Sequence, residues 1–449
     1  MEIGVCNMIL SEEHRIKKHN NKKLLHEIDN YCYKVKNLSN SVNYLIKQCY
    51  RIHTKIKNGK TLEEWEDELI RAINSGIAEY NLGRSEVKRI RYIDADNGYI
   101  ADAYFLSWYL KGTEVYKDVP YATCSQICIQ EKCREWKSLY SATAEYRKDP
   151  KKFKEQPHVP GYLDPKKGRG SLVITSQNFK VDEDGKVTMP KFLSGIHIKA
   201  RHDKVRQIRI KMYKSSVLIS LMYEKKEKTV KGTKVMGIDL GVNNLIAAAW
   251  DSEDRPVLIN GKPIKSINQY YNKARAHMQK EAKVYNGKNR TRRIDKLTAK
   301  RNRKIKDYMH KASRKLVNLA VSSNVGLIVI GANQGWKQKV HMGNVTNQNF
   351  VSIPYKTLIN MIEYKARLEG IEVKTVRESY TSGTSYLDGE KPTREYYNKE
   401  RREERGLFRS NNGILINADI NAAYQMIKLG STRAIPIKTG EQITKIKAA

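Results

Sequence analysis

No cysteine follows Cys133 in this chain of 449 residues; its six cysteines stand at positions 6, 32, 49, 124, 128 and 133. That shortage excludes a thiolate zinc module from everything beyond the N-terminal third, because such modules are built from paired Cys ligands. Cys124, Cys128 and Cys133 are separated by three and four residues inside a segment that reads as a helix. They form no CxxC pair and no well-placed histidine follows, so they read as small buried residues. A disulfide framework is not expected in a large protein of a reducing compartment. The chain also lacks any run of about 18 apolar residues, so no membrane span is expected. Its first ten residues lack the basic start and cleavage site of a signal peptide, which makes a cytoplasmic location the expectation. Acidic residues are the remaining shortage: 48 Asp and Glu stand against 84 Lys and Arg, a formal charge of +36. An excess of that size points to a polyanionic partner held over a long surface. A hydrophobic content of 40% is enough for a packed core and excludes a disordered basic tail. The length allows about two to four domains.

The hydrophobic period divides the chain. From about residue 21 to 147 it is helical: Leu25, Ile28, Tyr31, Val35, Leu38, Val42 and Leu45 recur at helix spacing. Thr61-Leu62-Glu63-Glu64 carries a capping-box signature for a second helix, and a third runs from about Tyr121 to Tyr146. Prolines 150, 157, 160 and 165 mark a linker or surface loop over 147–170. From Ser171 the period becomes two, in short runs that predict a small β-barrel or half-barrel. Arg206, Arg209, Lys211 and Lys214 alternate along one of these strands and suggest a face for a nucleic-acid backbone. The C-terminal half alternates, with strands expected at 235–240, 244–250, 256–259, 326–330 and 373–376 and helices at 354–369 and 418–429. Three early strands followed by β-α-β-α alternation suggest a ribonuclease-H-like core. Between Lys273 and Lys315 there are 17 Lys and Arg against three acids, with Gly287 placed to split a helical hairpin. So many like charges are unfavourable without a polyanion beside them.

Two acids stand out. Asp239 ends the apolar run Val235-Met236-Gly237-Ile238, where a charge at a sheet edge is costly unless neutralised. Asp419 opens a helix far downstream, where the helix dipole alone could favour it. Acids gathered from distant strand and helix ends are also how folds build divalent-metal sites for phosphodiester cleavage.

Several motifs together resemble the transposon-associated TnpB nucleases and the miniature type V CRISPR effectors. They are Gly237-Ile238-Asp239-Leu240-Gly241-Val242-Asn243-Asn244, Lys311-Ala312-Ser313-Arg314-Lys315, Asn347-Gln348-Asn349-Phe350, Glu378-Ser379-Tyr380-Thr381-Ser382 and Asn417-Ala418-Asp419-Ile420-Asn421-Ala422-Ala423. The resemblance implies an α+β multidomain protein: a helical recognition lobe inserted in a wedge β-barrel, followed by an RNase H-like (RuvC) nuclease domain. It places the start of the wedge at 1–20, the recognition lobe at 21–158, the rest of the wedge at 159–232 and the nuclease at 233–449. Within the nuclease it implies a basic helical insertion at 267–321 and a target-nucleic-acid-binding lobe at 381–414. It further implies a prokaryotic RNA-guided DNA endonuclease, with a guide RNA and a double-stranded DNA target bearing a short flanking motif. A homodimer is compatible with the sequence. By the resemblance Asp239 and Asp419 are the first and last nuclease carboxylates. The charge of the basic segments adds Arg301, Arg303, Lys304, Lys311, Arg314, Lys315, Arg401, Arg402 and Arg409 to Arg206, Arg209 and Lys211 as candidate nucleic-acid contacts.

The chain departs from that pattern twice. Most relatives place a middle glutamate at the end of the strand that here ends in Ile330, but Gly331, Ala332 and Asn333 follow. Glu378, just past the next strand, is the nearest substitute, and neighbouring strands lie only about 4.8 Å apart. Asp239, Glu378 and Asp419 would then be both catalytic and metal-binding, on two Mg²⁺ ions about 3.5–4 Å apart. Second, the four-cysteine zinc module common in relatives has no ligands here, so no zinc is expected. Two other readings survive the sequence. One is a nuclease-dead RNA-guided DNA binder acting as a repressor; the other is an unguided RuvC-like resolvase or transposase.

Overall fold

The computed structural model describes all residues except 1–6, 18–20, 203, 214–215, 253, 288, 333–351, 405, 433–443, 447 and 449. The Asn347–Phe350 motif and residues Lys214, Asn333 and Arg405 therefore lie outside the described residues. Two compact units account for the chain: Ile9–Lys225, and a second built mainly from Lys226–Ala449.

In the first unit, strand β1 (Asn7–Lys17) precedes helices α1 (Lys22–Lys57), α2 (Glu64–Asn81), α3 (Ala103–Leu110), α4 (Glu114–Lys117) and α5 (Ala122–Lys148). Helix α1 buries Leu25, Ile28, Cys32, Val35, Leu38, Val42, Ile46, Cys49 and Ile52, the apolar stripe of a 3.6-residue period. Across it, the indole N–H of Trp136 on α5 donates to Asn43 at 2.9 Å in the core. Helix α2 begins later than its Thr61 signature suggests. Glu63 is the N-cap and Glu66 closes the box, its carboxylate accepting the Glu63 N–H at 3.0 Å while Lys55 donates to it at 2.7 Å. The extra partner on Lys55 favours Glu66 over Glu64. The proline-rich stretch is a loop tied along α1, not a free linker. Asn40 exchanges hydrogen bonds with the backbone of Leu163, Lys36 donates to the Pro165 carbonyl at 2.8 Å, and Arg169 grips Asp29 through two bonds of 2.7 Å.

The strands of this unit are β2 (Leu172–Thr175), β3 (Lys180–Val181), β4 (Val187–Thr188), β5 (Val205–Tyr213) and β6 (Ser216–Lys226). They form a four-stranded sheet in the order β1-β6-β5-β2 and a separate β3-β4 ribbon. Among the described residues nothing joins β1 to β2, so of the barrel and half-barrel left open by the sequence no closed barrel is formed by these strands. Helices and sheet share one core. Cys124, Cys128 and Cys133 are buried in it, and burial pushes each thiol up to about 12. These thiols should resist iodoacetamide at pH 8 in the native protein and react only after denaturation, as mass spectrometry would read. Labelling of any of the three in the native chain would contradict this packing.

The second unit is a six-stranded mixed sheet between helices. Its strands are β7 (Lys234–Asp239), β8 (Asn244–Trp250), β9 (Val257–Asn260), β10 (Val325–Gly331), β11 (Glu372–Val376) and β14 (Thr444–Ile446), in the order β11-β10-β7-β8-β9-β14. The first three in sequence are antiparallel neighbours, whereas β10 runs parallel to both β7 and β11. Helices α6 (Lys262–Asn286) and α7 (Arg292–Ser322) form the expected basic hairpin, and Gly287 caps α6 at φ +64°. Together with α8 (Tyr355–Leu368), α7 covers one face of the sheet. The other face is covered by α9 (Ala418–Gly430) and part of the lobe, which carries a short β12 (Leu407–Arg409) and β13 (Leu415–Asn417) ribbon. Among the described residues no helix is long and apolar enough to cross a membrane.

Candidate functional site

Strand parity decides which way Asp239 points. Val235, Gly237 and Asp239 share one face of β7 because strand side chains alternate. Val235 packs with α9, so Asp239 is on the α9 side. Gly237 lets that helix come close. A β-carbon there would collide with the Ala423 carbonyl oxygen and lie 2.7 Å from Cγ1 of Ile427. From this contact, two residues along the strand reach Asp239, about 6.6 Å away. Four residues back along the helix, about 6 Å, reach Asp419 on the same helix face. The two acids therefore meet because strand and helix steps match from a shared anchor. Asn417 caps α9, its side-chain oxygen accepting from the N–H of Asp419 at 3.1 Å and of Ile420 at 3.2 Å. Asn244, at the start of β8, donates to an Asp419 carboxylate oxygen at 2.8 Å and fixes its orientation.

The third carboxylate arrives from β11. Gly331 ends β10 opposite Val376 of β11, and the Ala332 N–H donates to the Val376 carbonyl at 2.8 Å. Two residues beyond Val376, the chain turns Glu378 back over Gly331. A β-carbon at 331 would collide with Oε1 of Glu378, 2.6 Å from its Cγ and 2.7 Å from Cε of Met426 on α9. The Glu378 carboxyl thus occupies the space a side chain at 331 would take. On the neighbouring strand Ile330 pairs with Ile238, which sets Gly331 beside Asp239.

Electrostatics ties the three acids together. Asp239 keeps partial access to solvent, yet the protein packed around its carboxyl raises its pKa to about 7. Desolvation is the largest cause and the charge of Asp419 the second, while Arg402 opposes both. The hydroxyl of Tyr355, at the start of α8, is pushed up by burial and then by the charges of Asp239, Glu378 and Asp419. One buried phenol therefore senses all three carboxylates. Among the described residues no group of three or more His, Cys, Asp or Glu side chains already converges at metal-binding distance. The donor set nonetheless suits a hard cation, which takes oxygen ligands and relieves the repulsion between neighbouring like charges.

The basic residues singled out in the sequence separate into two groups. Arg303, Lys304 and Lys211 are exposed, and Arg402 is exposed yet acts on Asp239. Others are engaged within the fold. Arg301 donates to Asn268 at 2.8 Å and to the Ser352 carbonyl at 2.6 Å, and Arg401 donates to Glu390 at 2.7 Å and to Asn411 at 2.6 Å. Arg206 pairs with Glu224 at 3.1 Å, Lys311 with Asp307 at 3.1 Å and Arg314 with Glu369 at 3.6 Å. Arg209 pairs with Glu131 and Arg409 with Glu403, while Lys315 is exposed on α7. Sequence reading missed Asn244 and Tyr355, and it missed what orders the lobe. Buried Glu390 accepts from the Ser385 N–H at 2.7 Å as well as from Arg401, and Asn421 of α9 donates to the Thr384 carbonyl at 2.8 Å. Polar side chains pinned to backbone hold this segment, a pattern without a sequence period.

A strongly basic α/β protein with carboxylates gathered from the ends of two sheet strands and the start of the helix packed on them is the class that this geometry defines. Residues 218–337 match the OrfB_IS605 family model, described as a probable transposase, and residues 355–426 match the Cas12f1-like TNB domain. Over 204 residues the chain is 30% identical to the CRISPR-associated endodeoxyribonuclease Cas12f2 of Micrarchaeota archaeon (strain CG1_02_47_40), covering 43% of this chain and 36% of that protein. It is 24% identical over 202 residues to the TnpB-like protein MJ0751 of Methanocaldococcus jannaschii, covering 43% of this chain and 68% of the relative. The protein in a cryo-EM structure of a Cas12f1–sgRNA–target DNA complex aligns with 93% of this chain and 98% of its own, at 17% identity and a TM-score of 0.36. The matched region thus spans about a third of the length of Cas12f2. The resemblance read in the sequence is borne out: the chain is TnpB-like, of the kind found among miniature type V effectors.

Proposed function

We propose that this chain is an RNA-guided DNA endonuclease that hydrolyses target DNA at a single RuvC-type site, with two Mg²⁺ held by Asp239, Glu378 and Asp419. The observation that carries this reading is the seating of the Glu378 carboxyl over Gly331, beside Asp239. A carboxylate stands where the strand itself lacks one. The sheet, three antiparallel strands continued by parallel ones with helices on both faces, supports an RNase H-like assignment of its unit. The open sheet and ribbon before it support the wedge, and α1 to α5 the recognition lobe. The names of the relatives and the charge of +36 support guide RNA and DNA as partners.

Bound Mg²⁺ would supply the Lewis acidity that activates water and stabilises the leaving 3′-oxygen. The protein's own residues prepare the site. Asn244 fixes the Asp419 carboxylate, buried Tyr355 lies within electrostatic reach of all three carboxylates, and Arg402 adds a positive charge where a phosphate would arrive. The test is cleavage of a guide-matched DNA duplex in Mg²⁺. Binding without cleavage in any divalent ion would favour the nuclease-dead reading.

Guide binding should weaken steeply with salt, since each phosphate neutralised on single-stranded RNA contributes about −0.7 to the slope of log affinity against log salt. Arg303→Glu with Lys304→Glu should flatten that slope and weaken binding without unfolding the hairpin, because both side chains are exposed. Arg301 is the wrong residue for this test, being pinned inside the fold. An unchanged slope in filter-binding titrations would return this helix face to solvent.

A further inference from the structure

Two residues beyond Glu378, Tyr380 adopts φ +64°. Among the described residues the only other non-glycine with positive φ is Asn324, which follows α7, where asparagine commonly ends a helix. A tyrosine there is strained, and such strain persists only where the surroundings impose it. The surroundings do. The Tyr380 carbonyl accepts from the Gly383 N–H at 3.3 Å and the Thr384 hydroxyl at 3.0 Å, and Thr384 and Ser385 are fully buried. The turn serves a second ring. Gly383 lacks a side chain where Tyr397 lies, since a β-carbon would be 2.6 Å from Cε2 of that ring, and the Asn398 N–H donates to the Gly383 carbonyl at 3.0 Å. Tyr380 and Tyr397 meet edge to face, centroids 5.8 Å apart at 70°, and stay 41% and 40% exposed. Glycine or asparagine would make this turn without strain, so the turn itself does not require a ring. What the strained backbone achieves is two aromatic rings held partly open to solvent, Tyr380 within about 7 Å of chain from Glu378 and Tyr397 brought against it by the ring contact. Arg377, Arg394 and Arg402 are exposed on the same segments.

Rigid exposed rings among arginines are the chemistry that stacks the bases of a single strand while cations track its phosphates. We propose that Tyr380 and Tyr397 form a stacking platform for a nucleobase of the single DNA strand that enters the carboxylate site. The platform rests on the nuclease reading for its location, and it acts on the base flanking the phosphate rather than on the reacting atoms. Tyr380 and Tyr397 are therefore positioning residues.

The experiment uses the full chain loaded with guide RNA, in an Asp239→Asn background so that the strand stays intact. A short single-stranded DNA carries 2-aminopurine, scanned position by position, whose fluorescence is quenched by stacking. At one position the protein should quench it, and Tyr380→Phe should do the same. Tyr380→Gly should lose the quench and bind the strand about 5- to 150-fold more weakly, the range that one base–aromatic stack spans, while melting no lower than its parent because the strain is relieved. Replacing that base by an abasic site should erase the difference between the two proteins. A purely structural Tyr380 predicts the opposite: Tyr380→Gly stacks and binds normally. That result, or no quenching by the parent at any position, overturns the platform. Quenching also separates the two proposals. A chain with intact Asp239 that cuts DNA but whose inactive form never quenches keeps the nuclease and loses the platform, whereas one that quenches but never cuts does the reverse.

Discussion

Glu378→Gln should abolish guided cleavage, by about 10³-fold or more, and leave guide and target binding at the level of the unsubstituted protein. The expected size follows from losing several kcal/mol of transition-state stabilisation when a metal ligand loses its charge. Asp239→Asn and Asp419→Asn should fall equally far, because their carboxylates are brought beside the same site by Gly237 and Ala423. Glu372, earlier on β11 and exposed, is the control, and its change to Gln should have no effect. A stricter version exploits the geometry. Gly331→Glu in the unsubstituted chain should be inactive, since the new side chain contests the space that Glu378 fills. Combined with Glu378→Ala the same substitution should recover part of the cleavage, because the vacated space lies where a carboxylate is wanted. Timed cleavage of a labelled duplex, with binding measured in parallel, reads all of these. If Glu378→Gln cuts normally while both aspartate variants are dead, the third ligand is another residue. If the double variant stays dead but Glu378→Gln is also dead, Glu378 is required and its reach from β11 cannot be replaced from β10.

How much of this could be read in the sequence depends on how far each feature reaches. Asp239 was legible because an apolar strand that ends in a carboxylate contradicts its own burial. The departure at Gly331 was legible as well, as a missing charge at a strand end. What the chain order hides is the compensation: Gly331 and Glu378 are distant in sequence and meet only through the parallel β10–β11 register. Arg301 and Arg303 read alike in a basic run, yet two helical steps, about 200° of rotation, turn the first inward onto Asn268 and leave the second in water. The start of α2 moved because Lys55, on another helix, selects Glu66 for the capping box. Strands β12, β13 and β14 have three residues each, too short for any period. Whether the alternating segments would close into a barrel or stop at a half-barrel was not legible, since alternation fixes a strand's faces and says nothing about closure; among the described residues the sheet is open.

Gly237→Ala should be the most damaging single methyl in the second unit. Beyond its place in the Gly237–Asn244 motif, nothing local requires this glycine, for its φ is not positive and an alanine would sit comfortably in an isolated strand. The constraint comes from α9. Its Ala423 carbonyl oxygen already fills the place of a β-carbon, and Ile427 lies 2.7 Å from that place. Neither can yield locally, because the oxygen belongs to helix backbone and Ile427 is fully buried. The helix must therefore lift from the strand, and overpacking of this kind costs about 1–3 kcal/mol and sometimes more. For a unit of roughly 220 residues that lowers the melting temperature by about 2–12 °C. Cleavage should fall further than stability does. Asp419 rides on the lifted helix, and a misplacement of about 1 Å at a reacting centre costs about 10²-fold. Gly112→Ala, where a β-carbon meets only open space, is the control and should change stability by no more than about 0.5 kcal/mol. Calorimetry and timed cleavage on the same preparations distinguish the possibilities. A Gly237→Ala protein that melts lower but cuts at full rate would mean that α9 does not set the distance between Asp239 and Asp419. One that melts and cuts like its parent would mean that the close approach of helix and strand is absent in solution, and with it the reason these two acids meet.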